Sequence, residues 1–297
     1  MPLCAFPCIC RALLPIAITL SVLTSFATIL GVSCQLKARK ESADSLYIRF
    51  QKEGKEYYGI LESDVVTQIE GDIFGEKKRL DVKHQLNDIK VLSPCSPTKI
   101  LALAGNYRSH LNDSSPPKKP EVFYKPISAL QNPRDPIVLP KEAEEVHYEG
   151  ELVIVIGQKS RRISVVDAEK SIFGVTCGND ISERIWQNGP QKDVQWWRAK
   201  GADTFSPVGP YIASGINYGN LMMKTRLNGQ TVQEVSTAEL IFDCPTVVSF
   251  ISQYVTLMPG DLIFTGTSGK TGPLNPGDKV EVEIEGVGVL QNNVISS

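Results

Sequence analysis

His147-Tyr148-Glu149-Gly150-Glu151 runs directly into Leu152-Val153-Ile154-Val155-Ile156, and Gly178-Asn179-Asp180 follows a short way on. An unbroken apolar run of this length, rich in branched residues, reads as a strand buried on both faces. Every second side chain of a strand shares a face, so His147, Glu149 and Glu151 are expected to point the same way, the last of them into the core. E-x-E in a solvated strand is commonplace, and Glu142-Ala143-Glu144-Glu145 just upstream is an ordinary acidic run. The apolar continuation changes that reading, because neighbouring carboxylates taken out of water must be protonated, paired or bound to a cation. Oxygen donors without thiolates suit Mg²⁺, Mn²⁺ or Ca²⁺ rather than Zn²⁺, with Asp180 as a third anionic ligand. Nothing in the spacing demands a fourth ligand, so His147 is placed behind or outside the trio.

Around this core, 297 residues with 42% hydrophobic side chains suffice for one large domain or two modest ones. Residues 1–36 carry Arg11 as their only charge, which leaves 31 − 1 = 30 basic against 33 acidic side chains in the remainder. So balanced a body has no basic stripe with which to neutralise phosphates, and a nucleic-acid partner is not expected. Ala12 to Val32 is mostly apolar and about as long as a bilayer-spanning helix. Residues 1–36 therefore read as a hydrophobic leader, either signal peptide or membrane anchor, with residues 12–34 the means of any membrane attachment. Cys95, Cys177 and Cys244 are too widely spaced for a disulfide framework or a zinc site, and they suit a body that folds with reduced thiols. Leader and cysteines point to different compartments, and localisation stays open between a membrane-anchored or exported protein and a cytoplasmic-type body.

Residues 45–93 alternate in short segments, such as Leu46 to Phe50 and Tyr57 to Leu61 across a turn at Lys52-Glu53-Gly54-Lys55, which reads as a small β domain. Pro94-Cys95-Ser96-Pro97 marks a boundary before a second domain over 97–297. There the spacing predicts strands at 99–104, 262–265 and 279–285, a short helix or turn at 106–111 and a polar loop at 112–120 suited to a lid. A short helix is expected at 168–172 and a longer one over 244–257, with Val247, Phe250, Ile251, Tyr254 and Leu257 facing the core and Pro259-Gly260 ending it. The fold class expected is α+β, predominantly β, with mostly antiparallel sheet and few short helices. Gly269-Lys270-Thr271 is no phosphate loop, because Phe264 stands where that pattern needs glycine and Gly272, Pro273 and Pro276 forbid a following helix. Gly266 to Asp278 reads instead as a loop whose backbone donors could hold a carboxylate.

Six motifs then occur in order: Asn106-Tyr107-Arg108-Ser109-His110, Phe123-Tyr124-Lys125-Pro126, Tyr148-Glu149-Gly150-Glu151-Leu152, Gly178 to Arg184, Arg198 to Thr204, and Pro259 to Thr267. In that order they resemble the fumarylacetoacetate hydrolase family over roughly 97–294, with 45–92 similar to the small amino-terminal β domain of many bacterial members. The resemblance implies a mixed β-sheet roll, a divalent ion, usually Mg²⁺, on Glu149, Glu151 and Asp180, and Lys200 beside it to stabilise an oxyanion. It implies substrate contacts from Arg184, Gln187, Lys125 and Thr267, the last toward a substrate carboxylate. His110 is then the general base with Asp113 as its orienter, and a homodimer is expected. Asp113 stands where hydrolytic members commonly carry the longer glutamate, and Ser268 replaces a common proline. The reaction expected is hydrolysis of a C–C bond in an acylpyruvate-type 2,4-dioxo acid. The same parts would serve isomerisation or decarboxylation of an unsaturated 2-hydroxy dicarboxylate from aromatic catabolism. A membrane-tethered protein that binds 2-oxo acids without turnover is the reading from another class.

Overall fold

The Leu152 to Ile156 run lies at the centre of a twelve-stranded sheet, where the strand Gly150–Ile156 is buried along its whole length. The computed structural model describes residues 45–111 and 114–297, so the hydrophobic leader and Asp113 lie outside the described residues. Both faces of the central strand are covered: Leu152, Ile154 and Ile156 enter one apolar cluster, Val153 and Val155 another on the opposite side. Covering both faces explains why the sequence here is continuously apolar rather than alternating.

Ten strands of the twelve-stranded sheet run in the order Lys77–Gln85, Val65–Gly71, Lys55–Glu62, Ser45–Lys52, Ser206–Ser214, Ile172–Asn179, Gly150–Ile156, Leu262–Phe264, Ile100–Ala104, Glu121–Lys125, while Lys90–Val91 and Leu130–Gln131 pair off this path with Ser45–Lys52 and Ser206–Ser214. The four amino-terminal strands form a meander whose first strand pairs antiparallel with Ser206–Ser214, Tyr47 opposite Ile212, so they continue the same sheet. A five-stranded sheet in the order Gln230–Ser236, Met222–Leu227, Lys279–Ile284, Gly288–Ser296, Ile137–Leu139 packs against the central strand. Pairing is mostly antiparallel, with parallel pairs at Leu262–Phe264 against Ile100–Ala104 and at Gly288–Ser296 against Ile137–Leu139. The fold is thus α+β and predominantly β, with mixed sheets and short helices.

Two features differ from the sequence reading. The helix at 244 spans Cys244–Ser252 only, and Tyr254 is exposed rather than core, while Leu257 is buried beyond the helix end. Competition for the helix carboxyl end is the reason: the Ser252 carbonyl accepts from the Arg162 N–H at 2.7 Å and from Arg161 Nη1 at 3.0 Å, and Ser160 and Leu257 exchange backbone hydrogen bonds. The helix is therefore closed by a crossing segment before its apolar period runs out. The second difference is that His147 and Glu149 do not share one strand with Glu151. Val146–His147 pairs with Ser182–Glu183, and strand pairing lapses at Tyr148 and Glu149, whose N–H groups donate to the Gly272 carbonyl and to Asn179 Oδ1.

Candidate active site

Tyr148 and Glu149 join the strand of His147 to the strand of Glu151. In the pairing of Gly150–Ile156 with Ile172–Asn179, Gly150 lies opposite Asn179, so Asp180 falls one step beyond the strand end with its N–H on the Glu149 carbonyl at 2.8 Å. Glu149, Glu151 and Asp180, all buried, can bring one oxygen each within 4.8 Å of the others. Gly150 between the glutamates is required by close approach, since a Cβ there would lie 2.0 Å from Thr225 Oγ1 of the second sheet.

The chain supplies part of the countercharge itself. Lys200 Nζ donates to Glu149 Oε2 at 2.6 Å and to Asp180 Oδ2 at 2.7 Å. Arg184 Nη2 pairs with Glu149 Oε1 and donates to Thr271 Oγ1 at 2.7 Å, and Arg184 Nη1 donates to Gln187 Oε1 at 2.7 Å. Lys125 pairs with Asp180 Oδ1 and with the Lys200 carbonyl. Burial would raise Glu149, but Lys200 and Arg184 outweigh it and hold the carboxyl at about 2. Burial would lower Lys200, and the Asp180 and Glu149 carboxylates reverse this and hold it above its ordinary value. For Lys125 burial wins over Asp180, and its pKa is lowered.

Glu151 is the exception. It pairs with none of these cations: Oε2 accepts the Gly266 N–H at 2.6 Å, and Oε1 is buried with no hydrogen-bond partner. Burial, then the neighbouring Asp180 and Glu149 charges, push its pKa well above the ordinary carboxylate range. An orphaned buried carboxylate oxygen beside two other carboxylates, in an all-oxygen donor set, fits a hard divalent cation. Glu149, Glu151 and Asp180 are the residues that could hold it.

A cavity of about 50 Å³ adjoins the trio and gathers His110, Glu149, Arg184, Gln187, Lys200 and Thr267 among its lining residues. His110 comes from the short helical turn Arg108–His110, which is pinned to the glycine-rich loop twice: the Gly269 N–H donates to Ser109 Oγ at 3.0 Å, and His110 Nδ1 meets the Gly269 carbonyl oxygen at 2.7 Å. Thr267 turns its hydroxyl to the Gly150 carbonyl at 3.0 Å and accepts from Gln233 Nε2 at 2.9 Å, so its side chain is engaged within the protein. Lys125 does not line this cavity. It is buried behind Asp180, where it positions that carboxylate, in place of the substrate contact expected of it. His147 lies apart, with Nδ1 on Thr271 Oγ1 at 2.8 Å and Nε2 on Glu145 Oε1 at 2.9 Å.

Three residues that sequence reasoning passed over organise this site. Gln233, on the second sheet, accepts the Gly150 N–H at 3.1 Å and donates to both Thr267 and the Ser268 carbonyl, tying the E-x-E strand to the glycine-rich loop. Asn106 donates to the Thr265 carbonyl at 2.8 Å and grips Phe242 by its N–H and carbonyl. Asp261 accepts from the N–H groups of Thr98, Lys99 and Met258, which fixes the strand leading into the loop. Asn106 and Asp261 stood inside quoted motifs, whereas an isolated glutamine such as Gln233 carries no local signal.

Comparison with known proteins agrees with the fold and the residue pattern. Residues 99–295 match the fumarylacetoacetate (FAA) hydrolase C-terminal family, and residues 46–94 match the Rv2993c-like N-terminal family. The chain belongs to the fumarylacetoacetate hydrolase family. It is 36% identical over 222 residues to the mitochondrial oxaloacetate tautomerase FAHD2A of Bos taurus, covering 70% of each chain. The crystal structure of 2-hydroxyhepta-2,4-diene-1,7-dioate isomerase from Mycobacterium marinum superposes with a TM-score of 0.79 at 36% identity, covering 86% of this chain and 99% of that one. Maleylpyruvate hydrolase from Sphingobium sp. SYK-6, in complex with manganese (II) ion and pyruvate, superposes with a TM-score of 0.70 at 28% identity, covering 85% and 99%.

Proposed function

We propose that this protein is a divalent-cation-dependent hydrolase that cleaves the C–C bond of an acylpyruvate-type 2,4-dioxo acid. The observation that carries the reading is the setting of His110. Its Nδ1 faces a carbonyl oxygen, which only accepts, so the neutral ring keeps its proton on Nδ1 and Nε2 is left as the base. That base shares one cavity with Lys200, Arg184 and the Glu149 carboxylate.

Glu149, Glu151 and Asp180 would hold Mg²⁺ or Mn²⁺, which when bound supplies Lewis-acid stabilisation of charge developing on an α-oxo oxygen. Lys200, kept protonated by the carboxylates around it, adds a second positive neighbour to that oxygen. His110 Nε2 takes a proton from water, and the water oxygen adds to the 4-carbonyl carbon. The C3–C4 bond then breaks, releasing a carboxylic acid from the acyl end. C3 takes a proton to give pyruvate. Arg184 and Gln187 orient the substrate, while Lys125 acts only through Asp180.

A specific observation favours tautomerisation as the second reading. The Nδ1 partner of His110 is a neutral carbonyl, which stabilises an imidazolium less than a carboxylate does, and removing an acidic C3 proton from a 2-oxo diacid asks less of a base than activating water. The isomerase and tautomerase relatives also share more of this sequence, at 36%, than the hydrolase does, at 28%. The purified protein with Mg²⁺ separates the two on acetylpyruvate and on an unsaturated 2-hydroxy dicarboxylate. Pyruvate release abolished by His110→Ala supports hydrolysis; an ultraviolet tautomer shift without pyruvate reassigns the enzyme to isomerisation. Inertness toward both compounds would remove the catalytic reading.

A further inference from the structure

Beyond the inner cavity lies an outer cleft of about 620 Å³, lined by His110, Glu145, His147, Arg184, Lys270 and Thr271 among others. His110 and Arg184 line both spaces, so a substrate with its 2-oxo acid end inside extends its other end into the cleft. Two of the three charged groups of the cleft, Arg184 and Glu145, are engaged already. Both terminal nitrogens of Arg184 are bonded to Glu149, Thr271 and Gln187. His147 has one ring nitrogen on Thr271 and the other on Glu145. Lys270 differs: among the described residues it has no hydrogen-bond or ion-pair partner. Glu149 already neutralises Arg184, and Glu145 is held by His147, so Lys270 is the cation of the cleft lining left to meet an anion.

We propose that Lys270 is a specificity-determining residue, which makes the outer cleft a subsite for a second carboxylate at the far end of the substrate. This rests on the 2-oxo acid reading above and deepens it. The loop geometry supports the assignment. Gly266, at the start of the loop, donates to Glu151, and Gly269 is anchored to Ser109 and His110, so Lys270 leaves a fixed point beside the base. The sequence offered Gly269-Lys270-Thr271 only as a false phosphate loop; here the lysine serves as a point charge on a flexible stem, suited to an anion of variable reach.

The test compares two substrates of equal length, 2,4-dioxoheptanedioate and 2,4-dioxoheptanoate, which differ only in the terminal carboxylate. For the full chain with Mg²⁺, the ratio of kcat/KM, diacid over monoacid, is expected to fall about tenfold or more in Lys270→Met. The change should reside in KM, and Lys270→Arg should recover most of it. An unchanged ratio overturns the assignment even if pyruvate is released from both compounds. If the wild-type protein turns over neither, the hydrolase reading fails by itself, and calorimetric affinities for the same two compounds decide about Lys270. A diacid preference that Lys270→Met erases upholds the subsite, and equal affinities in both proteins reject it.

Discussion

The inner cavity and the outer cleft share two residues, yet they are built on opposite principles. Around the inner cavity Glu149, Asp180, Lys125 and Lys200 are buried, sit at strand ends or against them, and bond mainly to one another, with Glu151 buried beside them. In the outer cleft Lys270 and Glu145 are exposed on irregular chain, and beside Lys270 the loop is held at Gly269 by Ser109 and His110. The difference teaches where each kind of information resides. Reaction chemistry is fixed by sheet register, which tolerates no drift, while selectivity is carried by a loop able to change without disturbing the sheet.

The sharpest way to break this contrast is at the register end. Glu149→Gln removes one charged ligand and the partner of both Lys200 and Arg184; Mg²⁺ affinity by calorimetric titration should fall more than about 100-fold, with activity lost. Undiminished Mg²⁺ uptake would contradict the ligand assignment. Next comes Lys125→Met, which leaves part of the Asp180 charge buried without its partner. About 3 kcal/mol should be lost in denaturant unfolding, far more than any substitution at Lys270 would cost.

Glu151 gives a prediction with a sign that depends on the cation. Its pKa is raised in the folded protein, so the fold binds a proton there that the unfolded chain releases near pH ~4.3. From that group alone, stability of the cation-free protein is greatest below that pH and declines as pH rises toward the folded pKa. Glu149, depressed to about 2, acts oppositely: its contribution is present above the unfolded value and fades as pH falls toward 2. In chelator at pH 8, Glu151→Gln should therefore melt higher than wild type by roughly 1–2 kcal/mol, and added Mg²⁺ should reverse the order. A variant that melts higher under both conditions would remove Glu151 from the cation site. The smallest effect is expected at the hinge between the two regions. Ser109→Ala deletes one acceptor for the loop, costs about 1 kcal/mol, and should lower kcat several-fold with a smaller change in Mg²⁺ affinity, measured in parallel.

Much of this was legible along the chain because short-range pattern and burial coincide there. Leu152 to Ile156 announced a doubly covered strand, and the glutamates leading into it announced buried charge. The helix at Cys244 was legible at its start, where Asp243 caps the Thr246 N–H and proline follows, but not at its end, which depends on Arg161 and Arg162 arriving from far away in sequence. That strand pairing lapses between His147 and Gly150 was not legible, because period-two alternation assumes an unbroken strand, and the N–H groups of Tyr148 and Glu149 are taken by Gly272 and Asn179 from other segments.

The sequence by itself determined the predominantly β fold, the acidic trio and the family, since each rests on local periodicity or on residue types held at fixed spacing. Only the tertiary structure decided which cation serves which carboxylate, that Lys125 stands behind Asp180 rather than lining the cavity, and that Glu151, alone of the three carboxylates, keeps an unpaired oxygen. Those are properties of distances between residues from 20 to 115 positions apart, set when sheet register and loop closure bring them together, and no local pattern encodes them.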